Sequence, residues 1–296
     1  MYRILSCDGG GYRGIYTSRI LERLETMTQG FLGRINMFAG TSTGAILACA
    51  LAKGLNPAEI TRLYKEKGGD IFKKPGFWEK VKDLGGVSGA TYKNDGLKKA
   101  LENVFGNMTF GDFGGRGVLV VSFDLDTNDT VNGIRRWKPK IWNSLDPQDV
   151  NTKIADVLLM STAAPTYFPS YKGFVDGGVC QNNPSMCALA LGIKFESVLN
   201  NIRLLSVGCG LNNSYIAGES NDWGLFQWAK PMPNMMIDGD VDCVDYQVNK
   251  VLGAKYLRIN AALPMKIDLD DTSKTQELLT AADRVDLSRY GFPFWE

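Results

Sequence analysis

Residues 2–14 read Tyr2-Arg3-Ile4-Leu5-Ser6-Cys7-Asp8-Gly9-Gly10-Gly11-Tyr12-Arg13-Gly14. Tyr2–Cys7 has the length and apolar character of a buried strand, and Asp8–Gly14 is a glycine-rich turn. Ile15–Thr28 follows with apolar residues at Ile15, Ile20, Leu21, Leu24 and Met27, a helical stripe. The same order then repeats. Arg34–Phe38 is a second short strand, Ala39-Gly40-Thr41-Ser42-Thr43-Gly44 is its turn, and Ala45–Lys53 is an apolar helix stopped by Gly54. Asn56-Pro57-Ala58-Glu59 opens another helix with a capping asparagine, a first-turn proline and a returning glutamate.

Further strands are predicted at Val118–Phe123, Arg203–Val207 and Tyr256–Ile259. Helical patterns fall between them at Leu97–Phe105, Ile154–Ala164, Ser185–Lys194 and Val241–Leu252. Strands alternating with helices imply right-handed crossovers and a mostly parallel sheet covered on both faces. Sites in such sheets lie at the carboxyl ends of the strands, where both glycine-rich turns fall. The 296 residues are read as one α/β domain spanning 1–296. Segment 67–94 holds six glycines with Phe72, Phe77 and Trp78 and no clear period, and reads as a mobile lid. The aromatic tail Tyr290–Trp295 is expected to pack on the body, with contact to lipid or a partner as the other reading.

Composition narrows the function classes. Lys plus Arg number 33 against 32 Asp plus Glu, which argues against a strong electrostatic hold on a nucleic-acid polymer and leaves only a local basic patch as the alternative. There is no histidine, which removes Ser-His-Asp and Cys-His catalysis and every histidine-bearing metal site. The six cysteines form no C-x-x-C and read as buried, reduced thiols. No leader-like segment precedes the first strand, and the longest apolar run, near Ala45–Ala52, is too short to span a bilayer. A reducing, cytoplasmic location is the expectation.

Gly40-Thr41-Ser42-Thr43-Gly44 is a G-x-S-x-G pentapeptide, weak alone in a chain with 33 glycines. A strand before it and an apolar helix after it are what a nucleophile elbow needs, because Ser42 then stands at a helix N-terminus. A small-residue turn with an idle serine is the plainer reading. Gly9–Gly14 matches G-x-G-x-x-G, but residues 26–40 hold no acid to bind a ribose, which disfavours a dinucleotide site. Consecutive glycines can instead expose N–H groups as an oxyanion hole, with Arg13 adding positive charge, or can simply permit close packing.

Without histidine, the base for Ser42 must be a carboxylate or a lysine, and S-x-x-K is absent because Ala45 stands where the lysine would be. Asp8, Asp95, Asp176 and Asp238 each precede a glycine. Asp8 belongs to the first glycine turn, and Asp95 and Asp238 read as loop residues. Asp176 follows the strand-like Lys172–Val175 and precedes Gly177-Gly178, which makes it the preferred candidate. An Asp-Gly turn closing a hairpin is the alternative.

Together the three pieces resemble the patatin-like phospholipase family. Asp8–Gly14 looks like its oxyanion loop, Gly40–Gly44 like its serine elbow and Asp176-Gly177-Gly178 like its Asp-Gly box. Ser161–Phe168 and Asn182-Asn183-Pro184 are also family-like, and the resemblance runs from Tyr2 to about Gly210. Cys7 departs from the aliphatic residue usual before the Asp. The resemblance implies a three-layer α/β/α sandwich and a Ser42–Asp176 dyad. It also implies an oxyanion hole from Gly9, Gly10, Gly11, Arg13 and Thr43, and ester hydrolysis of phospholipids or other acyl lipids without metal or cofactor. Some bacterial members of similar size are implied to be anti-phage effectors switched on by cyclic oligonucleotides. The resemblance leads one to expect such an activator, a phospholipid membrane as substrate at the inner membrane surface, and room for a homo-oligomeric state. Phe72, Phe77, Trp78 and the tail are the expected lipid contacts. A non-enzymatic or acyl-transferring lipid-binding protein of the same fold is the competing function.

Overall fold

A computed structural model describes residues 1–72, 89–128, 133–196, 198–218, 220–229, 231–290 and 292–295. Strand β1 (Tyr2–Cys7) lies mid-sheet, hydrogen-bonded in parallel to β2 (Met37–Thr41) on one side and β6 (Ile202–Val207) on the other. β3 (Gly117–Asp124) continues the parallel set beyond β2, and β7 (Tyr256–Ile259) extends it beyond β6. Antiparallel β4 (Lys138–Asn143) closes the β3 side. Among the described residues the order is β4-β3-β2-β1-β6-β7, with the short β5 (Phe174–Asp176) also paired to β3.

Helices α1 (Gly14–Met27), α2 (Thr43–Lys53), α3 (Pro57–Ile71), α4 (Asp95–Phe105) and α5 (Ile154–Ser161) bury their apolar faces in one core. Leu5, Phe38, Val118, Val120 and Leu205 supply the sheet side of that core. The alternate residues Ile4, Met37, Ala39, Leu119 and Leu204 face a second core under α6 (Ser185–Phe195) and the end of a long later helix. Covered on both faces, these strands are apolar at nearly every position rather than alternating with polar residues. This is the three-layer arrangement expected.

Several boundaries differ for identifiable reasons. β2 begins at Met37, because Leu32–Arg34 closes a 3-10 turn, and it runs on through Gly40-Thr41. α5 stops at Ser161, short of Ala164, since the residue before Pro165 is pushed out of helical geometry. β4 contains Pro139 and has no strand-like pattern. It is tolerated there as an edge strand, where a missing N–H breaks no ladder. Asp95 is the first residue of α4 rather than a loop residue, its charge suited to the helix N-terminus. α7 (Leu225–Ala229) precedes α8 (Met232–Leu252), which starts nine residues before Val241 and therefore holds Asp238 in helix, not loop.

α9 (Thr275–Asp283) and α10 (Phe292–Trp295) complete the elements. Trp295 is buried against Phe31 at 5.6 Å between ring centroids, and Arg3 Nη2 donates to its carbonyl at 3.0 Å, so the tail packs on the body. Of the six cysteines expected to be buried, Cys7, Cys49 and Cys209 are, while Cys180 and Cys187 are half-buried and Cys243 is exposed, since it lies on the outer side of α8. Of the expected lid, residues 73–88, with Phe77 and Trp78, lie outside the described residues. Its two shoulders are tied down. Phe72 packs edge-on against Tyr12 and Tyr92, and Tyr92 N–H donates to the Tyr167 carbonyl at 2.7 Å. Among the described residues no helix is long and apolar enough to cross a membrane.

Candidate active site

Ser42 sits between β2 and α2 with φ 55° and ψ −122°, a conformation L-residues rarely adopt. The flanking glycines make that bend feasible. A Cβ on Gly40 would lie 2.1 Å from the Gly44 carbonyl oxygen, and one on Gly44 would lie 2.1 Å from the Cys7 carbonyl oxygen. Both are far inside contact distance, so the pentapeptide needs glycine at both ends. The strain is held by a buried bond: Ser42 N–H donates to Ser161 Oγ at 2.9 Å, and Ser161 Oγ donates onward to the Val121 carbonyl at 2.6 Å. Thr43 opens α2, where the first-turn N–H groups have no helical acceptor. Its hydroxyl is hydrogen-bonded to the Tyr64 hydroxyl from α3.

Asp176 is delivered by sheet pairing. β2 occupies one edge of β3 as far as Thr41 opposite Val121, and β5 takes the same edge from Ser122 onward, running the other way. The two strands meet end to end, and Ser42 Oγ donates to Asp176 Oδ2 at 2.6 Å. Gly178 N–H donates to the other carboxylate oxygen at 2.7 Å. Burial pushes the Asp176 carboxyl up to about 6, with these two donors pulling it back. A carboxylate in that range is a better proton acceptor than an exposed one and is ionised at neutral pH.

The first glycine turn lies against this pair. A Cβ on Gly9 would stand 3.3 Å from Ser42 Cβ and 2.3 Å from Asn182 Oδ1. Gly11 has φ +57° and a Cβ there would meet the Leu269 carbonyl oxygen at 2.3 Å. Gly9 N–H donates to the Asn182 carbonyl at 3.0 Å and is therefore engaged. The N–H groups of Gly10 and Gly11 have no acceptor among the described residues. Arg13 is buried in the cavity wall. It donates from Nη1 to the Gly210 carbonyl at 3.3 Å, and its Nε finds no partner among the described residues.

Several supporting contacts carried no local sequence signal. Asp8 is buried and clasped by Arg258 of β7, Nη2 to Oδ2 at 2.5 Å and Nη1 to Oδ1 at 3.3 Å. Burial disfavours the Arg258 charge, but Asp8 more than offsets this and holds the guanidinium above its ordinary value. Asp240 of α8 accepts from Asn182 N–H at 2.6 Å and Asn183 N–H at 3.1 Å, fixing the chain after the Asp-Gly box. Ser161 lay inside a family-like stretch, yet its bond to the elbow depends on α5 reaching β3. Arg258 stands 250 residues from Asp8, beyond any spacing argument.

Gly9–Arg13, Ser42, Thr43 and Asp176 all line one cavity of about 610 Å³, whereas Asp95 and Asp238 do not. Its remaining wall is largely apolar, with Ile46, Ile71, Phe72, Phe168, Met232 and Met236 among the lining side chains. Such a space accepts a hydrocarbon chain and brings an ester carbonyl to a hydroxyl. Among the described residues no group of three or more Cys, Asp or Glu is arranged to hold a metal ion.

The family model described as Patatin-like phospholipase matches residues 5–189. A Pseudomonas aeruginosa protein named cGAMP-activated phospholipase is 30% identical over 281 residues, covering 88% of this chain and 78% of that protein. A Vibrio cholerae protein of the same name is 31% identical, covering 76% of this chain and 70% of its own. Protein teg of Priestia megaterium is 27% identical, covering 100% of this chain and 98% of its own. This chain belongs to the patatin-like phospholipase family and is a lipid acyl hydrolase.

Proposed function

We propose that this protein releases fatty acids from membrane phospholipids through Ser42 and Asp176. The observation that carries the reading is the 2.6 Å bond from Ser42 Oγ to Asp176 Oδ2 beside an apolar cavity. Ser42 Oγ attacks the acyl carbonyl as Asp176 accepts its proton. The oxyanion forms against the N–H groups of Gly10, Gly11 and Thr43, with the Arg13 charge nearby and Gly9 leaving room beside Ser42. Asp176 returns the proton to the leaving alcohol, and an acyl-enzyme remains. Water then gives its proton to Asp176 and attacks the acyl carbon, and collapse restores the Ser42 hydroxyl and frees the fatty acid. An aspartate is a modest base for an alcohol, so the oxyanion donors carry much of the barrier lowering, each typically worth about 10²–10³ in rate.

We read the chain as one domain acting at the inner membrane surface and switched on by a cyclic oligonucleotide. The relatives named cGAMP-activated phospholipase support the switch. The test is fatty-acid release from phospholipid vesicles by wild type and Ser42→Ala, each with and without cGAMP. Release by wild type only in the presence of the nucleotide supports both parts. Equal release without nucleotide keeps the hydrolase and removes the switch. No release in any condition, with no labelling of Ser42 by a fluorophosphonate, removes the enzyme reading. Asp176→Asn should lower release at least about 10³-fold, and the double variant should be no worse than either single one.

A further inference from the structure

Two of the most exposed large apolar side chains are adjacent in the sequence. Leu225 and Phe226 of α7 are 84% and 91% exposed, and Met235 and Met236 at the start of α8 are exposed beside them in sequence. α8 is anchored only further on, where Val241, Val244, Val248 and Leu252 are buried. Met232 and Met236 are both exposed and part of the cavity wall that holds Ser42 and Asp176, so the exposed start of α8, which follows α7 in the chain, borders that cavity.

Between residues 215 and 237 the sequence carries Glu219, Asp222 and Lys230 as its only charges. A surface of that kind cannot draw in a polyanion and gains nothing from anionic head groups. What it suits is hydrocarbon, the medium in which acyl chains destined for the cavity already lie. We propose that α7 and the first turns of α8 are the face by which this protein enters a lipid surface. Leu225, Phe226 and Met235 insert, and Met232 and Met236 open the cavity onto the bilayer. The inference rests on the reading of membrane phospholipid as substrate and adds where the membrane is met.

Insertion driven by apolar burial rather than charge makes two distinguishing demands: uncharged vesicles suffice, and salt does not release the protein. The test is flotation of Ser42→Ala protein with phosphatidylcholine vesicles, which that variant leaves intact. The same protein carrying Leu225→Ser and Phe226→Ser is the comparison. Both side chains are solvated and outside the cavity wall, so the fold should tolerate the change. The expected result is binding that raised salt does not reverse and that the double substitution lowers by about tenfold or more. On an otherwise wild-type chain, the double substitution should cut release from vesicles while leaving hydrolysis of monomeric p-nitrophenyl butyrate unchanged. Undiminished flotation of the variant, a need for anionic lipid, or release by salt overturns the proposal. So does a solution dimer that the double substitution dissociates, because the face would then belong to a second copy. A wild type inert on every ester while Ser42→Ala still floats would sink the substrate reading and leave the docking face standing.

Discussion

Asp176 meets Ser42 because the strands that carry them share one edge of β3: Thr41 stands opposite Val121, and Asp176 stands opposite the next residue, Ser122. One strand arrives parallel and the other antiparallel, so their carboxyl ends face each other. The dyad geometry is thus a consequence of ladder register, and a one-residue slip in β5 would move the carboxylate to the other face of the sheet.

The position of Asp176 makes activity and stability oppose each other in pH. Its carboxyl is pushed up to about 6 by burial, so the proposed base is lost as pH falls through that value. Acyl release should drop close to tenfold per unit below it, measurable on a monomeric ester. A carboxyl raised in the folded state costs no stability below the unfolded value of about 4, costs progressively more as the pH rises from there to about 6, and costs its full amount above that. Asp176→Asn should therefore raise stability at pH 7.5 by roughly 2–3 kcal/mol and lose that advantage near pH 4, as read by thermal unfolding. An equal gain at both pH values would show that charge burial is not the cause.

Ser161 should matter to the reaction without touching substrate. Its hydroxyl bridges Ser42 N–H and the Val121 carbonyl, both buried. Ser161→Ala leaves a buried donor unpaired and should destabilise by about 1–3 kcal/mol. The elbow loses its tether, so kcat should fall while KM for a monomeric ester holds. Fluorophosphonate labelling of Ser42 should slow in parallel. A stability loss with kcat intact would reduce Ser161 to packing.

Arg258→Met should be among the more damaging single changes outside the cavity. It leaves the Asp8 carboxylate buried beneath the glycine turn without its guanidinium. Removal of one member of a buried pair costs about 3–5 kcal/mol. Replacing both partners, Asp8→Asn with Arg258→Met, should recover part of it. Chemical denaturation of the three variants measures the coupling, and simple additivity would refute it.

Two glycines separate steric need from mere presence. Gly44→Ala drives a Cβ into the Cys7 carbonyl at 2.1 Å and should prevent soluble folding. Gly69, exposed in α3, has open space within 4 Å of where a Cβ would stand and no positive φ, so Gly69→Ala should stabilise by about 0.5–1 kcal/mol. Thermal unfolding reads both.

Local patterns are legible along the chain because they depend on neighbours in sequence. Apolar runs mark the five parallel strands, and the capping of α3 at Asn56 and Glu59 reads directly from its four residues. The glycines around Ser42 and in Asp8–Gly14 follow from backbone sterics, and the missing histidine removes whole mechanisms by composition alone. Asp176 stands out among four Asp-Gly pairs by its surroundings, while Asp95 and Asp238, which read as loop residues, are helical.

Tertiary structure decided what joins distant segments. It brought β5 onto the edge of β3 left free by β2, Ser161 beneath the elbow, Arg258 onto Asp8 and Met232 to the cavity wall. It also engaged the Gly9 N–H with Asn182, so that of three similar glycines two keep donors with no acceptor among the described residues. None of these leaves a periodic trace, because a hydrogen bond or a desolvated charge is set by which chains pack together, and packing is a property of the whole sheet rather than of any stretch within it.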